Sequence, residues 1–203
     1  MKLFNSMGPN PKAVRMFMAE RGIDVEMQEV DLMGGENRQE DYLRLNPAGQ
    51  LPALQLDNGD IISEITTICE YLEETAGPSS LIGETPEQRA QTRMWVRRID
   101  LGIIEPLAAG FRYAEGAPLF KERMTLIPHA ADDLKALAQE KLTWLDGQMA
   151  GKQFVCGDRF SLADILLFAF LEFGAQVGQP LNTGNTHIAA WYERVSERPC
   201  AGA

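Results

Sequence analysis

Two short stretches carry the residue types that chemistry needs, and each stands where a helix should begin. The first, residues 5–14, reads NSMGPNPKAV. Ser6, Gly8 and Asn10 lie between a strand-like start, Lys2-Leu3-Phe4, and a helix-like pattern. The second is Ser63-Glu64-Ile65-Thr66, ahead of the apolar positions Ile65, Ile68, Tyr71 and Leu72. A helix N-terminus presents unpaired N–H groups and the positive end of the helix dipole. It can hold a carboxylate or stabilise an anionic nucleophile. Glu64 puts a carboxylate at that helix start. Ser6 and Asn10 are the side chains near the first mouth able to donate a hydrogen bond to an anion. Each also has a plain structural reading: Ser6 as a turn residue, Asn10 before Pro11 as a cap, Ser63 as an N-cap with Glu64 complementing the dipole.

The remaining composition narrows the chemistry. The 203 residues carry 19 basic and 29 acidic side chains, a net charge of −10. That surface repels phosphate backbones and argues against nucleic acid as the partner. The three cysteines, Cys69, Cys156 and Cys200, are widely spaced, with no CxxC. They suit a reducing cytoplasm and carry no zinc or dithiol signature, so no metal is expected. No cleavable signal is expected at the N-terminus. The most apolar stretch, Leu162 to Val177, contains Asp164 and Glu172 and is too short to span a bilayer.

The elements that must position these residues fall into two textures. The expected first domain, 1–76, alternates short strands and helices in the order β-α-β-α-β-β-α. Its strand Lys2–Asn5 leads to a helix from Pro11 to Arg21, stopped by Gly22. Val25 to Asp31 alternates in polarity like a strand, and LMGGENRQ is a loop. Glu40 to Leu45 is a short helix halted before Asn46-Pro47. LPALQLD is a strand, Asn58-Gly59 a hairpin turn, Asp60 to Ser63 its partner, and Glu64 to Glu74 a helix. Residues 77–85 form a linker rich in Gly, Pro and Ser.

Residues 86–203 read as all-helical. Pro86 suits a first turn, and Pro106 should kink or end that long helix. Pro128 to Met149 is another helix, and His187 to Glu197 the last. In FSLADI, Ser161 is a candidate N-cap with Asp164 three residues on, and Phe160 and Ile165 are placed for a hydrophobic staple. Asp164 therefore reads as structural.

NPAGQLPAL, SEITTICEYL and FSLADI, in that order and after KLFNSMGPNPKAVRMFMAERGI, resemble the cytosolic glutathione S-transferases. The DLMGGENRQ loop and Gly8 resemble the type-two branch of bacteria and fungi. The resemblance covers nearly the whole chain. It implies a thioredoxin-like α/β domain that binds glutathione, an all-α domain that shapes a pocket for small hydrophobic electrophiles, and a homodimer. It also implies a cis bond before Pro52, which would let the Leu51 backbone pair with the extended tripeptide. Glu64 and the Ile65 N–H would hold the γ-glutamyl end. Many members carry Ser or Thr where this chain has Ile65, and Thr66 is the nearest hydroxyl. The glycyl carboxylate falls to Gln50 or Arg38, though the Gly34–Arg38 loop reads equally as flexible.

The glutathione thiol titrates at about 8.5, so little is thiolate at neutral pH. Lowering that by roughly two units requires about 2.7 kcal/mol of differential stabilisation. Counting back six residues from Val14 reaches the position where many members carry a Tyr, Ser or Cys. Here it is Gly8. Ser6 and Asn10 remain as candidate side chains. The alternative is the end of the Pro11 helix with an ordered water held by Arg112, Tyr113 or His129. The second pocket is expected to use Met7, Phe111, Arg112 and Tyr113, with Phe120 beside them. A non-catalytic binding protein is the competing function, because Gly8 and Ile65 remove two usual polar contacts. A disulfide or deglutathionylation enzyme needs a cysteine in the active loop, and none occurs between Met1 and Thr67.

Overall fold

The structure, a computed structural model, describes every residue from Met1 to Ala203. The chain forms two compact units. The first comprises Met1–Ser79 with Arg198–Ala203, and the second Ser80–Glu197. The last six residues thus leave the helical stretch 86–203 and join the first unit. A turn of 3-10 helix at Pro199–Gly202 packs on the first helix, and Arg198 pairs with Glu20 near that helix's end.

The first unit is a four-stranded mixed sheet with helices. Its strands are β1 (Lys2–Asn5), β2 (Glu26–Glu29), β3 (Ala53–Gln55) and β4 (Ile61–Ser63), in the spatial order β2-β1-β3-β4. β1 runs parallel to β2 and antiparallel to β3, and β3 is antiparallel to β4. Helix α1 (Pro9–Arg21) makes the crossover from β1 to β2. It begins two residues before the expected Pro11, because proline is tolerated at the first positions of a helix, where its missing donor is not needed. Gly22 ends it in the left-handed region, φ 64°, with the Ile23 N–H donating to Met18 C=O at 2.9 Å. β2 is shorter than expected, and all four of its residues are exposed at the sheet edge. α2 (Glu40–Leu45) ends before Asn46, and the β3–β4 turn closes through the Leu56 N–H to Asp60 C=O, 2.8 Å. α3 (Ile65–Ala76) buries Ile68 and Leu72 in a core with Leu3, Val14, Phe17 and Leu54. Each such side chain contributes roughly 1.5–3 kcal/mol by leaving water.

The second unit is helical. α4 (Pro86–Ile99) is capped by Thr85, whose hydroxyl accepts from the Gln88 N–H at 3.3 Å. Pro106 neither ends nor interrupts the run that follows. A π turn, Asp100–Ile104, leads directly into α5 (Glu105–Tyr113). The wider turn carries the chain past a ring that would otherwise meet the carbonyl four residues back. A short α6 (Ala117–Phe120) and a 3-10 turn (Pro128–Ala130) precede α7 (Ala131–Gln148). α8 (Leu162–Gln176) is the apolar centre, and α9 (Thr186–Ser196) is the last helix. Ser161 and Asp164 close a capping box at the start of α8. No helix is long and apolar enough to cross a membrane.

Candidate active site

Glu64 is the one non-glycine residue with a positive φ, at 72°. A β-carbon is strained there, typically by 1–3 kcal/mol, and such strain clusters at functional positions. Glu64, not Ser63, occupies the N-cap of α3, and Ser63 is the last residue of β4. The Glu64 side chain does not cap the helix. It is exposed and makes no hydrogen bond or ion pair within the protein. The Glu64 carbonyl accepts from the Ile68 N–H at 2.9 Å. The first-turn N–H groups of Ile65, Thr66 and Thr67 therefore face outward without a side-chain acceptor, and no acidic residue lies in that turn. This end can bind a carboxylate on its N–H groups and a cation on Glu64.

The segment before β3 is held rigidly. The Leu51–Pro52 bond is cis. The strand ladder begins at Ala53, so the Leu51 backbone lies outside it. Tyr42 Oη and Asn46 Nδ2 donate to the Gln50 carbonyl at 2.8 and 2.9 Å. Burial pushes the Tyr42 hydroxyl up to about 12, so it remains a donor at any ordinary pH. Asn37 Nδ2 donates to the Gly49 carbonyl at 2.6 Å. The Gln50 side chain stays exposed. Arg38 lies over the same turn, with Nη1 donating to Ala48 C=O at 3.3 Å. Gly49 permits that approach: φ is 59°, and a β-carbon there would fall 2.8 Å from Arg38 Nη1. The Gly34–Arg38 loop is ordered by reciprocal bonds. The Gly34 N–H donates to Asp31 Oδ1 and the Asp31 N–H to Glu36 Oε2, each at 2.7 Å. Arg38 and Gln50 flank one turn.

The mouth of α1 contains no hydroxyl. Gly8 is its N-cap, with φ 102° and ψ 170°, a conformation essentially reserved for glycine. Pro9 and Pro11 supply no N–H, so the first turn offers only that of Asn10. The Asn10 side chain is exposed beside it. Ser6 does not reach this mouth as a donor. It is buried, and its Oγ–H is committed to the Val30 carbonyl at 2.8 Å. That bond ties the end of β1 to the chain after β2.

Behind the turn lies a network that sequence reading missed. Asn5 is buried; its Nδ2 donates to Glu29, and its Oδ1 accepts from Arg15 Nη1 at 2.7 Å. The same Nη1 reaches the Ser6 carbonyl at 3.2 Å. The only advance signal was that Arg15 lies seven residues, about two turns, beyond Gly8 and hence on its face of α1. Tyr42, Asn46 and Asn37 were missed too, since their partners belong to the 46–50 turn rather than to a motif.

The helical unit treats its candidates differently. The Phe111 ring meets Phe173 edge-on at 5.1 Å and Phe120 at 6.2 Å, and it packs on Gly116. That is an internal aromatic cluster, although Phe111 remains half-buried. Arg112 donates to Glu105 at 2.6 Å. Tyr113 is half-buried, and His129 is exposed on its 3-10 turn. In the first unit, Met7 is 61% exposed next to Gly8. Asp164 is fully buried and structural. A shallow groove bordered by Lys135, Gln139 and Gln179 involves none of the predicted site residues.

Comparison with known proteins gives a consistent set of likenesses. The glutathione S-transferase N-terminal domain matches residues 8–75, and the C-terminal domain of that family matches residues 127–199. Glutathione S-transferase 2 of Saccharomyces cerevisiae is 31% identical over 196 residues, 95% of this chain and 83% of its own length. Glutathione S-transferase GstA of Escherichia coli O157:H7 is 32% identical over 205 residues, 98% of this chain and 94% of its own. The crystal structure of Gtt2 from Saccharomyces cerevisiae superposes with a TM-score of 0.93 at 28% identity, covering 100% of this chain and 99% of that one. A glutathione S-transferase domain-containing protein of Marinobacter aquaeolei VT8 gives 0.92 at 34% identity, covering 98% and 99%.

Proposed function

The chain belongs to the glutathione S-transferase family, and on that premise we propose that it binds glutathione, stabilises its thiolate and conjugates it to small hydrophobic electrophiles. The observation that carries this reading is Glu64: an exposed, unpaired carboxylate on a positive-φ backbone at an uncapped helix start. A residue serving the fold alone would not need that conformation. The γ-glutamyl carboxylate is assigned to the N–H groups of Ile65 and Thr66, and its ammonium to Glu64. The Thr66 hydroxyl is assigned the contact that Ile65 lacks. The Leu51 backbone pairs with the cysteinyl unit as an added strand would. Arg38 and Gln50 receive the glycyl carboxylate. The sulfur then lies at the α1 mouth, near Asn10 and Met7.

In the reaction the thiol proton leaves to solvent. The sulfur lone pair forms a C–S bond at the electrophilic carbon, and the leaving group departs with its bonding pair. The same thiolate supports reduction of peroxides. Isothermal calorimetry with glutathione tests the reading: saturable binding at or below millimolar concentration is expected, and no heat of binding at that concentration defeats it. The bare Gly8 mouth also favours a second reading, a binding protein without turnover. Conjugation of an activated aryl halide separates the two.

Two further features belong to this proposal. Three buried, free cysteines support a reducing, cytoplasmic setting. Met94 on α4, Leu101 on the π turn, and Leu137 and Trp144 on α7 are large apolar side chains 40–54% exposed. They support a homodimer through the helical unit. Light scattering at micromolar concentration should give twice the chain mass for the wild type and a monomer for Trp144→Glu.

A further inference from the structure

The Arg15 guanidinium reaches into the β1–α1 turn. Side chains on a helix lean toward its N-terminus. From the second turn of α1, the guanidinium therefore runs back under the mouth and reaches the Ser6 carbonyl, two residues before Gly8. Asn5 fixes its orientation from β1. Burial works to lower the Arg15 pKa and the Glu29 carboxylate to raise it, but a guanidinium stays charged at any working pH. Two other charged pairs near α1 are each closed between their own partners. Glu73 of α3 pairs with Arg21 and accepts from Ser79, and Arg198 of the C-terminal segment pairs with Glu20. Glu29 of β2 is the carboxylate that faces Arg15, and it is exposed, so water screens it while Arg15 is half-buried.

The need for such a charge follows from the mouth itself. It has no hydroxyl, and two of its first three helical residues are prolines without N–H groups. We propose that Arg15, oriented by Asn5, positions the β1–α1 turn and supplies the positive charge that holds the glutathione sulfur as thiolate. This rests on the glutathione-transferase reading. Arg15 touches neither sulfur nor electrophile in this scheme, so it is a positioning residue acting through the turn and through its field.

The test is an ultraviolet difference titration of the thiolate absorbance of enzyme-bound glutathione, with affinity measured separately by calorimetry. Arg15→Gln should raise the pH of thiolate formation by about one unit. At a pH below that midpoint, kcat/KM should then fall about tenfold. Arg15→Lys, which keeps the charge, should stay near wild type. Glu29→Gln keeps Arg15 and an acceptor for Asn5 but removes the opposing charge, so its shift should have the opposite sign. If Arg15→Gln fails to fold, the sign of the Glu29→Gln shift decides. A titration unmoved in Arg15→Gln, or a Glu29→Gln shift absent or upward, overturns the proposal. Wild-type enzyme that binds glutathione without any thiolate signal overturns it too, while absence of binding removes the functional reading beneath it.

Discussion

The helices α8 and α3 begin with opposite treatments of the same problem. Each must satisfy or expose the N–H groups of its first turn. α8 closes its end: the Leu162 N–H donates to Leu81 C=O at 2.9 Å and the Asp164 N–H to Ser161 C=O at 3.0 Å. Asp164 Oδ2 accepts from the Ser161 N–H at 2.9 Å and the Ser161 hydroxyl at 2.8 Å. Asp164 Oδ1 accepts from the Val155 N–H and from Trp191 Nε1, both at 2.8 Å. Burial raises the Asp164 pKa, and these donors oppose it by favouring the anion. α3 leaves its end open, with a strained and unpaired Glu64 and no capping side chain. A helix start that satisfies itself is part of the scaffold. One that stays unsatisfied, on strained backbone, is open to a ligand, which is the role proposed for Glu64. Glu64 and Asp164 are both acidic residues at helix starts, and only their surroundings separate the two roles.

This contrast can be broken at four places. The largest effect is expected at the closed end. Asp164→Ala leaves buried donors of Ser161, Val155 and Trp191 without an acceptor and should cost about 4 kcal/mol in urea unfolding. A loss below about 1 kcal/mol would show that the buried network is not what secures α8. At the open end the sign of the stability change should reverse. Glu64→Gly relieves the positive φ and should raise stability by about 1 kcal/mol. It should also weaken glutathione binding by about 10- to 100-fold, through a lost charge-assisted hydrogen bond. Unchanged affinity would remove Glu64 from the site.

Gly8→Ala probes the other open mouth. No atom lies within 4 Å of the added β-carbon, so its expected penalty of about 1–2 kcal/mol is backbone strain alone. Thermal unfolding measures it, and a stabilised variant would show that the φ of 102° is not maintained in solution. The smallest effect should come from Ser6→Ala. It removes the bond to Val30 and should lower stability by about 1 kcal/mol while leaving kcat within about twofold. A collapse of kcat with binding retained would return thiol activation to a side chain.

How much of this was legible in the sequence depended on how far each partner lay along the chain. The Ser161–Asp164 box was legible because its members are three residues apart and the pattern recurs at helix starts. Gly22, the Asn58-Gly59 turn and α2 were legible for the same local reason. The π turn before Pro106 was not, since the sequence announces a disruption there without saying how the chain absorbs it. Nor was the burial of Ser6, whose partner Val30 is 24 residues away.

By itself, then, the sequence determined the order of elements in the first unit, the two textures, the stop at Gly22, the capping box and the family resemblance, all from periodicity, turn residues and short motifs. It also determined that Gly8 denies the first mouth a side chain. The tertiary structure alone decided which polar groups are committed and which remain available. It turned Ser6 inward, brought Asn5, Arg15 and Glu29 together, set Arg38 over the Ala48–Gly49 turn, and held Glu64 strained and exposed. The physical reason is that a hydrogen-bonding group's availability depends on neighbours that only folding supplies, whereas the local preferences of the backbone travel with the residues themselves.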